Sequence, residues 1–472
     1  MKIEEIKEMK KIKKRGDLKK HFPRIPTVRE EMRRNLIRML EEKKPLFQDL
    51  KGYDDTVIPQ VINAIICGHN MIILGERGQG KSKIIRDLLN FLDEYIPALS
   101  GCPIHDNPYS PVCADCRQKV EIHGDDLPID WIPRDRRLVE KLATSDVSTA
   151  DLIGEVDPIK ISQGRTLDDE TAIHFGLIPR ANRGIFAINE LPDLAEKIQV
   201  ALFNVMEERD LQIKGFPVRL PLDVLVVASA NPEDYTSRGR IITPLKDRFD
   251  AQIKTHYPQE RRIEIEIMEQ EARNISLNGL ESHAPLFIKE ILAEMTLQAR
   301  SSPDISQHSG VSCRATIRSY EAIMGSALRR CLVLGEKKVV PRITDIESTF
   351  PAIAGKLELE YGGKDRKEGE IVEELAKRAT KAVFDELFKM DSLSSVINAF
   401  HNGMGAEVSQ SIPSDEYMDG VRSIPGLKEA VKSLVNPESP AEVSSAIEFI
   451  LEGLHLSNKL NKEIINGRIV YK

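Results

Sequence analysis

The 472-residue chain has no uninterrupted apolar run of the roughly 18 residues that a membrane-spanning helix needs. The stretch Val61–Leu74 is broken by Asn63, Gly68, His69 and Asn70. Basic charge is not in excess either. Lys+Arg number 67 and Asp+Glu 74, a formal charge of −7, which excludes a generally basic nucleic-acid coat. The first twenty residues, MKIEEIKEMKKIKKRGDLKK, carry nine basic and four acidic side chains and no apolar core, so they do not read as a secretion signal. Cysteine is sparse. Six residues are too few for a disulfide framework, yet Cys102, Cys113 and Cys116 fall within fifteen positions, which suggests a thiol or metal role in a reducing compartment. These absences together predict a soluble, cytoplasmic protein without a membrane span.

What the chain does have is core-forming material, 41% apolar and 30% charged residues, which argues against wholesale disorder. At roughly 150 residues per domain, its length predicts about three domains. Residues 1–46 are charged and weakly apolar and predict an N-terminal extension of one or two surface helices. The basic run at 10–20 reads as a solvated helix face or as a contact for nucleic acid or an acidic partner. From 47 to 257, short apolar runs (Met71–Leu74, Ile185–Ile188, Val224–Ala230) alternate with helical stretches, the pattern of an α/β core with a parallel sheet between helices. Residues 258–362 read as all-α, with Phe287, Ile288, Ile291, Leu292 and Met295 recurring at threes and fours. A Gly-Gly-Lys-Asp break at 362–365 opens a C-terminal helical region, 363–472, in which 402–415 reads as mobile. No internal repeat is visible.

The strongest signal is Gly75-Glu76-Arg77-Gly78-Gln79-Gly80-Lys81-Ser82, which fits G-x-x-x-x-G-K-[ST]. It follows an apolar strand and precedes a helix with Ile84, Ile85, Leu88, Leu89 and Leu92 on one face. Gly75, Gly78 and Gly80 allow a tight turn whose N–H groups converge on phosphate oxygens. The following helix adds its positive dipole end. Lys81 is placed to reach the β- and γ-phosphates of ATP, and Ser82 to offer its hydroxyl to Mg²⁺.

A phosphate loop needs an acidic strand end nearby to organise metal and water. Gly184-Ile-Phe-Ala-Ile-Asn189-Glu190 supplies one, with the polar pair at the carboxyl end where parallel sheets bind ligands. Glu190 is the candidate to orient or deprotonate the attacking water. Asn189 stands where an aspartate is expected, and its amide brings no charge to a metal. Two readings follow: hydrolysis with a weakened metal clamp, or a nucleotide-gated scaffold with negligible turnover. Downstream, Ile198, Leu202, Val205 and Met206 share a helix face, and 210–220 alternates around Gly215 like a β-hairpin. The strand Val224–Ala230 ends in Asn231, a candidate γ-phosphate sensor. Arg248 is a candidate for reaching the ATP of a neighbouring subunit, against the plainer reading of a surface ion pair with Asp247 or Asp250.

In this order the elements resemble AAA+ ATPases, in particular the magnesium-chelatase ATPase-subunit and MoxR-like branch. The likeness covers about 46–330. It is carried by Phe47–Asp54, Asp151–Gly154, Gly176–Gly184, the hairpin 210–220, Ala230-Asn-Pro-Glu233, Asp247–Phe249 and Cys313–Thr316. By that resemblance Arg248 looks like the arginine finger and Arg314 like the second sensor, carried by a helical lid over 258–362. Residues 155–175 look like the loop inserted into the second core helix, and 210–220 like the hairpin before the first sensor. The resemblance also implies a ring, commonly a hexamer, and a partner bearing a von Willebrand factor A domain that is remodelled or loaded with a metal or cofactor. Activators of the alternative sigma factor fit less well, because no GAFTGA-type loop is present. A DNA-associated regulator stays open through the basic N-terminus, although the overall charge makes nucleic acid an unfavoured partner.

Within the insertion 101–123, Cys102-Pro-Ile-His105 precedes Cys113-Ala-Asp-Cys116. Cys-x₂-His and Cys-x₂-Cys each bring two ligands to one metal, and the four suit tetrahedral Zn²⁺. His123 is the alternative fourth ligand, an iron–sulfur cluster the lesser metal option, and three reduced cysteines on a loop the metal-free reading. No base is placed to activate any of these thiols.

Overall fold

The computed structural model describes residues 9–157, 159, 162, 170–207, 210–213, 216–231, 240–273, 275, 279–306, 310–354 and 368–472, without the side chains of 170, 210–213, 216–219, 420 and 421. The chain divides into two compact units, 1–256 and 257–472.

In the first unit, helix α1 (Val28–Glu41) starts at a capping box. The Thr27 side chain accepts the Glu30 N–H, while the Glu30 carboxylate accepts the Thr27 N–H. Val28, Met32 and Leu36, four apart, form its buried stripe. Helix α2 (Val57–Cys67) stops at Gly68, whose φ of 70° is left-handed. Then follow β1 (Met71–Leu74), α3 (Lys81–Asp87), α4 (Ala114–His123), β2 (Leu138–Leu142), β3 (Gly184–Asn189), α5 (Glu196–Glu207), β4 (Val224–Ala230) and β5 (Ala251–Lys254). The five strands form one parallel sheet in the order β5-β1-β4-β3-β2. Side chains alternate across it. Ile72, Phe186, Ile188, Val226 and Ala228 pack with Ile198 and Leu202 of α5 on one face. Met71, Ile73, Ile185, Ala187, Leu225 and Val227 pack with α1, α2 and α3 on the other. Each large side chain buried this way contributes about 1.5–3 kcal/mol.

Helix α1 therefore belongs to the core, which corrects the expectation of a surface extension over 1–46. The charged residues obscured it, because Glu31 and Asn35 are buried alongside the apolar stripe. Glu31 forms a bidentate ion pair with Arg137, both N–O distances 2.7 Å. The short helix Arg15–His21 is no freely solvated basic face either. Lys14 pairs with Asp126, and Arg15 and Lys19 with Asp125. The hairpin is present, Asp210–Ile213 pairing antiparallel with Phe216–Arg219, while Gly215 lies outside the described residues. Of 155–175, Gly154–Val156 pairs antiparallel with Ile173–Phe175 and most of the intervening stretch lies outside the described residues.

The second unit contains α6 (Arg261–Glu271), α7 (Leu286–Ser301), α8 (Arg314–Leu334), α9 (Glu368–Leu387) and α10 (Pro440–Leu456). One apolar core runs from Ile265 to Tyr471, so 258–362 and 363–472 do not form separate bodies. The region is not wholly helical. Ala406–Val408, Arg468–Tyr471 and Lys462–Ile465 make a three-stranded antiparallel sheet, which puts a paired strand inside the stretch expected to be mobile. Glu281–Ser282 and Lys338–Val339 also pair, a small exception to an all-α lid. The break at 362–365 lies outside the described residues. No helix among the described residues is long and apolar enough to cross a membrane.

Candidate functional site

The phosphate-loop residues occupy the turn from β1 into α3. Gly78 and Gly80 take φ of 78° and 72°, values that residues with a Cβ adopt at a cost. Lys81 is buried. Its Nζ donates to the carbonyls of Gly75 and Glu76, the latter at 2.9 Å, and to Asn231 Oδ1 at 2.5 Å. Sequence positions 150 apart thus meet because β1 and β4 are neighbours, Leu74 facing Ala230. Ser82 is exposed in the first turn of α3.

At the end of β3, Glu190 has φ 56°, a left-handed conformation unusual for a residue with a Cβ. Its N–H donates to Ser229 Oγ at 3.3 Å, and that hydroxyl donates to Asn189 Oδ1 at 3.1 Å. Asn189, Glu190 and Asn231 therefore sit at the carboxyl ends of adjacent strands, beside the loop bearing Lys81. Backbone strain held at such a place points towards function. These groups fit a nucleotide: a lysine cation for phosphate, with hydroxyl, amide and carboxylate oxygens of the kind Mg²⁺ takes. At the far end of α3, burial, reinforced by Asp49, pushes the Asp87 carboxyl above its usual range.

The loop is braced from within by its own Gln79 and from outside by Thr255 and Tyr53, the latter two contacts not being legible in the sequence. Gln79 Oε1 accepts from the Glu76 N–H at 3.0 Å and from Thr255 Oγ1 at 2.7 Å. The Tyr53 hydroxyl donates to the carbonyls of Gln79 and His256 at 2.8 and 2.9 Å. Tyr53 lies in a stretch noted for its family likeness, but nothing local ties it or Thr255 to the loop. Arg248 follows the short helix Thr243–Asp247 and pairs with Glu207 at 2.6 Å. Asp247 is farther away at 3.8 Å, so the main ion pair is one the sequence reading did not foresee. Arg314 opens α8 in the second unit and is exposed. Pro232 and Glu233 lie outside the described residues.

The cysteine insertion is partly helical, α4 covering Ala114–His123. Cys102, Asp106, Cys113 and Cys116 are all buried, with one donor atom from each lying within 4.8 Å of all the others. Asp106 takes the place expected for His105. The His105 backbone has φ 52° and its Nδ1 is buried without a hydrogen-bond partner, but the ring is not part of the converging set. His123 is exposed at the end of α4 and is not part of it either. Hydrogen bonds from Cys113 and Cys116 hold the Cys102 thiol far below its usual range, whereas burial pushes the Asp106 carboxyl up to about 7.

The sequence is also similar to those of known proteins. Residues 132–249 match the AAA domain (dynein-related subfamily). The chain is 27% identical over 259 residues to magnesium-chelatase subunit ChlI of Nostoc sp., covering 53% of this chain and 63% of that protein. It is 29% identical over 230 residues to the magnesium-chelatase 38 kDa subunit of Cereibacter sphaeroides, covering 48% and 63%. The chain thus spans a little under two thirds of the length of these curated relatives. A solved structure of the complex between subunits BchI and BchD of magnesium chelatase overlaps 70% of this chain and 98% of that one at 21% identity and a TM-score of 0.36. The chain thus carries an AAA domain over 132–249 and, together with its phosphate loop, is similar in sequence to magnesium-chelatase subunits.

Proposed function

We propose that the chain binds and hydrolyses ATP in a ring of its own copies, commonly a hexamer, and uses the nucleotide state to remodel a partner protein. The observation that carries this reading is the meeting of Lys81 with Asn231, beside Glu190 on the next strand, at one end of a parallel sheet. The backbone of Gly75, Glu76, Arg77, Gly78, Gln79 and Gly80 wraps the phosphates. Lys81 exchanges its present partners for phosphate oxygens, and Asn231 then turns to the γ-phosphate or the attacking water. Glu190 orients that water and accepts its proton. Ser82, aided by Asn189, would hold Mg²⁺, which neutralises charge on the phosphate oxygens when bound. Arg248 exchanges Glu207 for the ATP of an adjacent protomer, and Arg314 acts as the second sensor.

The relatives named as magnesium-chelatase subunits motivate the finer proposal that a metal or cofactor is loaded into a client, and the family resemblance of the motifs that of a partner with a von Willebrand factor A domain. Glu190→Gln tests the core of the reading. Steady-state turnover should fall about 10²–10⁴-fold while bound ATP persists; unchanged turnover would remove Glu190 from the role. The contact of Asn189 with Ser229, in place of a carboxylate, favours a second reading, a nucleotide-gated scaffold of negligible turnover. A large gain of ATPase activity in Asn189→Asp would support it. A DNA-associated regulator is disfavoured, since Lys14, Arg15 and Lys19 already face Asp125 and Asp126.

A further inference from the structure

The structure assigns a thiolate-rich metal site to Cys102, Cys113 and Cys116, closed by the carboxylate of Asp106, with a divalent cation of the zinc class as its ligand. Four soft or anionic donors converge to within 4.8 Å in a buried space. A tetrahedral zinc–thiolate centre, with bonds of 2.3 Å, sets its donors about 3.8 Å apart, so a small contraction completes the geometry. The surrounding core is slight. Among the described residues only Leu99, Ile104 and Leu127 join the three cysteines as its buried members, with Val112, Val120 and Phe175 partly buried against them, and burying a carboxylate in such a small core is costly without a partner for its charge. All three thiols are free rather than disulfide-bonded.

The local backbone is arranged to hold these donors. The Cys116 N–H points at Cys113 Sγ at 3.4 Å, and the N–H groups of Val112 and Cys113 each donate to an Asp106 oxygen at 3.0 Å. Such donors fix the orientation of metal ligands and temper their negative charge. Each carboxylate oxygen keeps a lone pair for a cation.

The site also has a structural consequence. Its connecting turn binds the N-terminal segment: Arg15 Nε donates to the Pro108 carbonyl at 2.7 Å, and the Tyr109 hydroxyl to the Phe22 carbonyl at 2.5 Å. It also binds the approach to β3, through Asn182 Nδ2 on the Ile104 carbonyl at 3.0 Å. A metal here staples residues 15–22 onto the first unit. Binding displaces the thiol protons and leaves the oxidation state of every group unchanged.

The test uses the full chain and no nucleotide, so its outcome is independent of the ATPase reading. Elemental analysis of the purified protein should find one zinc per chain. Thiol titration should leave the three cysteines unreactive until a chelator removes the metal, and cleavage by trypsin within residues 10–20 should then rise several-fold. Cobalt(II) added to the chelated wild-type chain should give a tetrahedral spectrum with a sulfur-to-metal charge-transfer band, a readout that needs no variant. Asp106→Asn should weaken zinc affinity at least about tenfold while His105→Ala leaves it unchanged. A folded, metal-free chain that gives no such cobalt spectrum would overturn the site. Loss of zinc from His105→Ala with full retention by Asp106→Asn would overturn the choice of Asp106.

Discussion

The strands β3 and β4 of the N-terminal unit are apolar until their last residues, where Ser229 and Asn189 appear, and place Asn189, Glu190 and Asn231 where the chain leaves the sheet. Helix α10 of the C-terminal unit does the opposite. It is buried from Ala441 to Leu454 and carries Glu442, Ser444, Ser445, Glu448 and Glu452 into the interior. Each of those carboxylates is answered from within the unit: Glu442 by Lys338, Glu448 by the Tyr417 hydroxyl and the Thr344 N–H, Glu452 by Lys462 and the Tyr471 hydroxyl. Buried polar groups thus have two uses here. At strand ends they meet beside the phosphate loop, whereas along α10 they are satisfied by protein and define how the helices pack.

The buried ion pair between Arg137 and Glu31 shows the N-terminal unit using polar groups as α10 uses them. Arg137 holds Glu31 at two points and donates Nε to the Arg183 carbonyl at 2.9 Å. Arg137→Leu would leave the Glu31 carboxylate buried without its cation, and loss of one partner of such a pair costs about 3–5 kcal/mol. The expected result is a large fall in the denaturation midpoint of the full chain. A midpoint within experimental error of wild type would return α1 to the status of a loosely attached extension.

The same contrast explains what could be read from the residues alone. Strands β1, β3 and β4 stand out because each is a short apolar run bounded by a motif or a turn, and the phosphate loop announces its own chemistry. The role of α1 was hidden because Glu31 and Asn35 interrupt its stripe, and their partners lie far along the chain. The burial of α10 was hidden in the same way: its glutamates look solvent-facing until Tyr417 and Tyr471 are in place. Asp106 does not stand out in the sequence because it directly follows His105, the better-known metal ligand. Thr255 and Tyr53 reach the phosphate loop only through tertiary structure.

A smaller effect belongs to the C-terminal unit. A Cβ added at Gly453 of α10 would lie 2.1 Å from Cδ2 of Phe384, a ring set edge-on to Phe449 with centroids 5.8 Å apart. Gly453→Ala gains helix propensity yet overpacks this contact, and the net loss should be about 1–3 kcal/mol. Urea unfolding checks it. Pairing the change with Phe384→Leu, which vacates the space, should recover part of the loss; no recovery would show that the ring is not the obstacle.

The smallest difference concerns how the two buried helices begin. Thr27 caps α1 through a reciprocal pair, its Oγ1 accepting from the Glu30 N–H at 3.3 Å and its own N–H donating to Glu30 Oε2 at 3.0 Å. Ser439, at the corresponding position of α10, makes no such side-chain bond, and Pro440 follows it where a missing N–H does no harm. Thr27→Ala should therefore cost about 1 kcal/mol, and Ser439→Ala nearly nothing. The Thr27 N–H, ahead of Arg24, holds the Glu30 carboxyl below its usual range. A carboxyl depressed on folding stabilises above its unfolded pKa and loses that contribution as pH falls through the folded value. The gap between wild type and Glu30→Gln should consequently close on acidification, while the effect of Ser439→Ala stays flat. Equal losses for the two cap substitutions would mean that tertiary burial, and not the cap, sets where both helices start.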